Sequence, residues 1–320
     1  MSWLERGWYR SAWWCWLLWP LSWLFAGVTA LRRFAYRQGW LASEALPVPV
    51  IVVGNISVGG TGKTPFTLWL CHWLQQQGYK PGIISRGYGA KIRYPTQVTP
   101  DANANEVGDE PLLLAQRSGC PVVVCPDRVA AGHFLLEQQD CDIIISDDGL
   151  QHYRMQRAVE IVLIDGQRGL GNQLLLPAGP LREPVSRLQG VDLVIANSGS
   201  HALATGQMQL QVTAATALLD QQPLTADAVH LLAAIGNPRR FERTARDAGY
   251  QVLQCFFFPD HHAYSAAELA SLPVPLLMTE KDAVKCRPFA RAGWYQLQVA
   301  AVPEPEVVQK LSALLAALRS

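Results

Sequence analysis

Short apolar runs recur along this chain, most of them closed by a glycine, a serine or an acidic residue. Val50-Ile51-Val52-Val53, Gly82-Ile83-Ile84-Ser85, residues 121–125, Asp142-Ile143-Ile144-Ile145-Ser146, Glu160-Ile161-Val162-Leu163-Ile164 and residues 192–196 are the clearest. They are too short for helices and too continuously apolar for half-exposed strands, so they read as strands covered on both faces. Helical stretches lie between them. Residues 65–77 carry proline in the first turn and Gly78 at the stop, residues 110–116 follow, and Asp127 caps a helix running through Glu137. Strands alternating with helices at this spacing predict a parallel sheet with helices on both faces. Residues 91–105 are polar and read as a loop or an edge hairpin.

From Ser198 to Asp227 the pattern turns polar and alternating, with Gln209, Gln211 and Thr213 set against Leu210 and Val212. This reads as a linker or edge ribbon. A second, smaller α/β unit then begins with the strand at 229–236. It continues through a helix at 238–248, strands at 252–257, 275–278 and 294–299, and a terminal helix at 307–318. The expected organisation is an N-terminal segment 1–40, a main α/β domain 41–200, a linker or ribbon 201–228 and a C-terminal α/β domain 229–320. A length of 320 residues suits two cores of ordinary size.

The first forty residues break the pattern. Eight of the 11 tryptophans lie there (Trp3, Trp8, Trp13, Trp14, Trp16, Trp19, Trp23, Trp40), and no charge falls between Arg10 and Arg32. Residues 11–31 thus form an apolar stretch of about the length that spans a bilayer. Arg6 and Arg10 precede it, and Arg32, Arg33 and Arg37 follow. Tryptophan favours the headgroup region, so the cluster argues for membrane contact, either as a span or as an interfacial anchor kinked at Pro20. A tryptophan-rich core helix satisfies the same length criterion. The basic excess behind the stretch favours a catalytic body on the cytoplasmic side of an inner membrane. A cleavable signal fits poorly, because the first buried strand starts shortly afterwards.

Net charge is +1, which gives no reason to expect nucleic acid. Seven cysteines contain no C-x-x-C pair and read as reduced, buried thiols. No obligate protein partner is inferred.

The densest chemical signal follows the first strand. Gly54-Asn55-Ile56-Ser57-Val58-Gly59-Gly60-Thr61-Gly62-Lys63-Thr64 runs from strand to helix through a glycine-rich loop. In that order, backbone N–H groups and a helix N-terminus face a polyphosphate. Lys63 would reach the β- and γ-phosphates of ATP, and the Thr64 hydroxyl would ligate Mg²⁺. Ser57 stands where the G-x-x-x-x-G-K-[ST] motif has its first glycine. Gly59, Gly60 and Gly62 keep the close approach of backbone to phosphate available. The fold class is therefore α/β, P-loop NTPase-like, with a second smaller α/β domain and an apolar N-terminal helix.

The strand at 142–146 ends in Asp147-Asp148-Gly149, which supplies carboxylate to Mg²⁺ directly or through water. Adjacent residues on an extended strand point to opposite sides, so both are not expected to bind metal directly. Gly108-Asp109-Glu110-Pro111 places two acids where a loop becomes a helix; capping and dipole roles explain them as well as catalysis does. Pro259-Asp260-His261-His262 offers an Asp–His pair suited to accept a hydroxyl proton, or a plain loop cap. Arg182 in Leu181-Arg182-Glu183-Pro184 either binds phosphate or pairs with Glu183. Arg86 and Arg128 follow strand ends, where ligands collect in open α/β sheets. Thr279-Glu280-Lys281-Asp282 has the wrong spacing for guanine recognition.

Taken in order, these segments resemble the tetraacyldisaccharide 4′-kinase family, the lipid A 4′-kinases, over nearly the whole chain. The resemblance rests on the 54–65 loop, Ser85-Arg86-Gly87-Tyr88-Gly89, Gly108-Asp109-Glu110-Pro111, Asp147-Asp148-Gly149-Leu150-Gln151-His152, Leu181-Arg182-Glu183-Pro184, Phe258-Pro259-Asp260-His261-His262 and Thr279-Glu280-Lys281-Asp282. Leu150 departs from the aromatic common there. The resemblance implies transfer of the ATP γ-phosphoryl group to the 4′-hydroxyl of a tetraacylated glucosamine disaccharide 1-phosphate. It implies a two-domain enzyme at the membrane surface, with its cleft between the domains. It also implies a base at Asp109 paired with His261, and Glu110 near Mg²⁺. Rival readings are a membrane-associated P-loop ATPase switch of the partition or targeting type and a soluble P-loop small-molecule kinase or amide ligase. Val58, where the switch ATPases carry a second lysine, counts against the first, and the tryptophan-rich start counts against the second.

Overall fold

The computed structural model describes residues 3–10 and 12–319. Ser11, the first residue of the expected apolar stretch, and the chain ends Met1, Ser2 and Ser320 lie outside the described residues.

Twelve strands form one sheet: β1 (Val50–Gly54), β2 (Pro81–Ser85), β3 (Thr96–Val98), β4 (Val122–Val124), β5 (Ile143–Asp147), β6 (Val159–Asp165), β7 (Leu193–Asn197), β8 (Gly206–Ala217), β9 (Ala228–Ala233), β10 (Gln251–Phe257), β11 (Leu276–Thr279) and β12 (Trp294–Pro303). Their order is β10-β9-β11-β12-β8-β7-β6-β1-β5-β2-β4-β3. β1 runs parallel to both neighbours, β5 and β6, and β2, β4 and β7 continue that direction. The carboxyl ends of these strands therefore open on one edge. Alternation assigns successive β1 residues to opposite faces. Ile51 and Val53 pack with Phe66, Leu70 and Leu74 of the helix Lys63–Gln76, while Val50 and Val52 pack with Leu135 of the helix Arg128–Gln138. Burial on both sides is why the strand reads as a continuous apolar run.

The polar stretch at 91–105 contributes β3, the antiparallel edge strand beside β4. β8 reconciles the two readings of 201–228. Its first three residues pair with β7 and the rest runs antiparallel to β12, so it joins the two halves of the sheet. Its alternating burial matches the alternating sequence. The parallel set β10, β9, β11 and β12 carries the C-terminal half, with Leu231, Leu277 and Leu297 in its core.

At the N-terminus a helix Trp3–Arg10 precedes a 3₁₀ turn Trp13–Leu18 and a helix Trp19–Arg37. Pro20 does not kink the long helix as expected. It occupies the first turn, where a missing N–H costs no hydrogen bond. This helix shows reversed amphipathicity. Its body-facing edge carries Ser22, Thr29 and Arg33. Ser22 Oγ donates to the Leu175 carbonyl at 2.8 Å and accepts from the Ala178 N–H at 3.0 Å. Its outer edge carries Leu21, Leu24, Val28 and Leu31, and the preceding 3₁₀ turn adds Leu17, each more than half exposed. Twelve of the twenty exposed large apolar side chains among the described residues fall between Trp13 and Leu41.

Candidate active site

The loop after β1 is held by its own side chains and by a second loop. Asn55, fully buried, donates through Nδ2 to the Ser57 carbonyl at 2.6 Å, and its Oδ1 accepts from Lys63 Nζ at 3.2 Å. The Val58 N–H donates to the Pro180 carbonyl at 2.8 Å and the Arg182 N–H donates to the Ile56 carbonyl at 2.7 Å. The Leu181-Arg182-Glu183-Pro184 loop is thus stitched to the glycine-rich loop. Gly62 is left-handed, with φ +92°, and a methyl there would lie 2.3 Å from Asn197 Nδ2, which donates to the Thr61 carbonyl at 2.9 Å. Gly62→Ala is therefore expected to destabilise the fold by at least about 1–2 kcal/mol from backbone strain alone. A methyl on Gly60 meets nothing within 4 Å, so Gly60→Ala is expected to leave stability near that of the parent. Thermal unfolding of the two variants checks the contrast.

Lys63, at the start of its helix, reaches Asp148 at 3.4 Å. Asp148 sits just past β5 at φ +50°, a conformation that aspartate tolerates, and also takes Arg182 at 3.2 Å. Burial pushes its carboxyl pKa up, but the Lys63 and Arg182 charges more than reverse this and hold it well below the usual range. Asp147 points the other way, accepting from Thr67 Oγ1 at 3.3 Å and Ser85 Oγ at 3.5 Å. Burial, and then the charge of Glu110, push its pKa up to about 7. An acidic group this unfavourable to ionise suits a hard divalent cation. No group of three or more His, Cys, Asp or Glu side chains forms a metal cage among the described residues. Mg²⁺ needs none, since it binds through one or two carboxylates together with substrate phosphates. Thr64 with one or two of Glu110, Asp147 and Asp148 fits that pattern.

Asp109 opens the helix Asp109–Arg117 and is buried. Both its carboxylate oxygens lie 3.1 Å from His261 Nδ1, across 152 residues of sequence. Burial raises the Asp109 pKa, but the His261 hydrogen bond, followed by the Lys281 charge, brings it down to about 2. The same hydrogen bond raises the His261 pKa against the opposing effect of burial. Glu110 is ion-paired with Lys281, whose pKa is lowered by burial but raised on balance by Glu110 and Asp109.

A cavity of about 400 Å³ opens between these groups and the long N-terminal helix. Asp109, Glu110, Asp148, Arg86 and Arg182 line one side; Phe25, Thr29, Arg32 and Arg33 line the other. At its back, the buried Glu183 accepts from Gln151 Nε2 at 2.9 Å and from the Tyr153 hydroxyl, and it pairs with Arg187 at 3.3 Å and Arg33 at 3.7 Å.

A family model for tetraacyldisaccharide-1-P 4′-kinases matches residues 14–316. The chain belongs to the tetraacyldisaccharide 4′-kinase family. It is 52% identical over 308 residues to a tetraacyldisaccharide 4′-kinase of Alkalilimnicola ehrlichii, covering 94% of this chain and 92% of the relative. With that of Aeromonas hydrophila it is 49% identical over 304 residues, covering 93% and 91%. The crystal structure of LpxK from Aquifex aeolicus in complex with ATP superposes with a TM-score of 0.80 at 28% identity, covering 95% of this chain and 99% of that one. The protein is a kinase of lipid A biosynthesis, and the switch-ATPase and soluble-kinase readings fall away.

Within this 4′-kinase, Ser57 to Thr64, Asp147 and Asp148 come together with Asp109, Glu110 and His261 as the sequence anticipates. Arg182 pairs with Asp148 and not with its neighbour Glu183. Arg128 does not line the cavity; it is buried, and its Nη1 donates to the Cys125 carbonyl at 2.9 Å. Lys281, Arg32, Arg33 and Gln151 went unread as site residues. The signal for Lys281 lay in the quoted Thr279-Glu280-Lys281-Asp282, whose other members brace the fold: Glu280 pairs with Arg117, and Asp282 accepts from the Ala234 N–H and the Tyr264 hydroxyl.

Proposed function

We propose that this protein moves the γ-phosphoryl group of ATP onto the 4′-hydroxyl of a tetraacylated glucosamine disaccharide 1-phosphate while resting on the cytoplasmic face of the inner membrane. The observation that carries the reading is the Lys63–Asp148 pair. Lys63 belongs to the phosphate loop and Asp148 to the wall of the cavity, so donor and acceptor meet there.

The roles follow from charge and reach. The amides of residues 59–64 receive the triphosphate, while that of Val58 braces the loop against Pro180, and Lys63 neutralises charge on the outer phosphates. Thr64 with one or two of Glu110, Asp147 and Asp148 would hold Mg²⁺, which supplies charge neutralisation at the phosphates. Asp109, oriented by His261, accepts the hydroxyl proton. A carboxylate with a pKa near 2 is a weak base. It suffices because bonding to phosphorus acidifies the hydroxyl, and the transition state is loose enough for the proton to leave late. The new O–P bond forms as the β–γ bridge breaks, with its electron pair departing on ADP. Arg86 and Arg182 receive the anionic parts of the acceptor, and Arg128 lends positive charge from behind.

The long N-terminal helix lies along the membrane interface instead of crossing it. A spanning helix must be free of the body on all sides, whereas this one is fastened to the body from Ser22 to Arg33 and turns its apolar edge outward. A four-chain acceptor leaves the bilayer only at about 0.8 kcal/mol per exposed CH₂, so the enzyme meets it in place. The division into 41–200, 201–228 and 229–320 describes the donor-binding domain, the connecting strand and the domain that brings His261.

The test is transfer of ³²P from ATP to the acceptor carried in phospholipid vesicles, against a plain ATPase control. Labelled lipid is expected, and ATP hydrolysis without it would sink the assignment. Replacing Leu17, Leu24 and Val28 by glutamine is expected to reduce co-sedimentation with vesicles and turnover on vesicle-borne acceptor. Turnover in detergent micelles is expected to stay near that of the parent.

A further inference from the structure

Arg168 is not among the site residues derived above, yet it sits beside the phosphate loop with unused hydrogen-bond donors. It follows β6, the direct neighbour of β1, and Asp165 Oδ1 fixes its backbone by accepting the Gln167 and Arg168 N–H groups, each at 3.1 Å. Its Nη1 donates to the Gly236 carbonyl at 3.3 Å and lies 3.8 Å from where a methyl on Gly59 would be. The ring of Tyr9 covers the guanidinium at 4.0 Å, and the Tyr9 side chain also takes a hydrogen bond from Arg168, which leaves Nε and Nη2 as the donors in question. Nε and Nη2 are buried and find no acceptor among the described residues, and no carboxylate pairs with the group there. The neighbouring Arg240, by contrast, is paired with Asp165.

Buried guanidinium nitrogens with open donors are costly and call for a partner, whether water, an ion or a ligand. The matching ligand is a tetrahedral oxyanion, which the planar fork binds through two parallel bonds. Gly236 indicates which phosphate. A methyl on Gly236 would lie 2.8 Å from the Gly60 nitrogen and 3.3 Å from Asp260 Oδ2, and Asp260 directly precedes the His261 that holds Asp109. Arg168 therefore stands beside the phosphate loop, on the side that Gly236 and Asp260 approach.

We propose that Arg168 is a catalytic residue of this kinase, binding non-bridging oxygens of the γ-phosphoryl group and stabilising the charge spread over them during transfer. No bond to Arg168 is made or broken. The inference rests on the donor nucleotide lying along residues 59–64.

Binding of Mg·ADP and Mg·AMP-PNP to the full-length protein, parent and Arg168→Ala, provides the test, together with turnover. The variant is expected to bind ADP within about twofold of the parent while losing on the order of tenfold or more for AMP-PNP. Turnover is expected to fall about 10²- to 10³-fold, with partial recovery on adding guanidinium chloride at millimolar concentration. Equal weakening of both nucleotides without guanidinium rescue would show a loop prop and overturn the proposal. So would unchanged turnover. Arg168→Lys keeps the stem and charge but lacks the fork, so it covers the case of a misfolded alanine variant. It is expected to lose at least about tenfold in turnover, and full activity in it overturns the proposal. Failure of the unaltered protein to bind ADP would instead remove the donor-site reading and this inference with it.

Discussion

Asp109→Asn is expected to lower turnover by about 10²- to 10⁴-fold while Mg·ATP binding survives. The amide keeps the shape of the carboxylate and its place at the head of the helix but cannot take up the hydroxyl proton. Single-turnover phosphoryl transfer, measured beside nucleotide affinity, separates the two effects. Turnover within threefold of the parent would remove Asp109 from its role. The same substitution is expected to lower the pKa of His261, because the Asp109 hydrogen bond is the largest contribution raising it. NMR titration of the imidazole reads that shift directly. The pair also sets a pH window for stability. Asp109 has a folded-state pKa of about 2 against an ordinary 3.8, so its contribution is complete above the ordinary value and is lost as pH falls through about 2. His261 is raised from 6.5, so its contribution is complete below that value and is lost as pH climbs through the elevated one. Asp109→Asn should flatten both limbs.

Lys63→Ala is expected to cost about 10²- to 10³-fold in turnover and to weaken ATP binding as well, unlike the Asp109 change. Lys63 is held between Asn55 at 3.2 Å and Asp148 at 3.4 Å, which fixes its ammonium at the mouth of the phosphate loop. Its loss leaves Asp148 with Arg182 as its remaining ion-pair partner. The substitution therefore removes a positive charge from the donor side and releases a negative one beside the acceptor cavity. Turnover and ATP affinity measured together test this; a variant that keeps more than a tenth of the parent rate would exclude the role given to Lys63.

Local signals made the main sheet and its phosphate loop legible. β1, β5 and β6 are buried on both faces, so their side chains carry no alternation to confuse with a helix, and glycines mark where the chain turns out of β1. β8 was harder to read because the portion paired with β7 and the portion paired with β12 share one alternating pattern. Long-range pairings left no local trace. Glu110 meets Lys281 because the helices Asp109–Arg117 and Glu280–Cys286 pack together across the two halves, and Asp109 meets His261 from the loop that follows β10. Residue chemistry alone made Asp109 and Glu110 as good a helix start as a catalytic pair, and only the family resemblance raised them. Arg182 and Glu183 illustrate a geometric limit. As neighbours on an extended loop they project to opposite sides, so their adjacency in sequence suggested a pair that the backbone forbids.

Glu183 has a practical consequence for anyone preparing this enzyme. Cutting away the first forty residues to gain solubility would delete Arg33 from that buried carboxylate, together with four side chains of the acceptor cavity, Phe25, Thr29, Arg32 and Arg33 itself. The shortened protein is expected to keep the phosphate loop but to lose one wall of the cavity. Recoating the lipid-facing side with glutamines, and leaving the inner side as it is, is the route to a detergent-free sample that still recognises its acceptor.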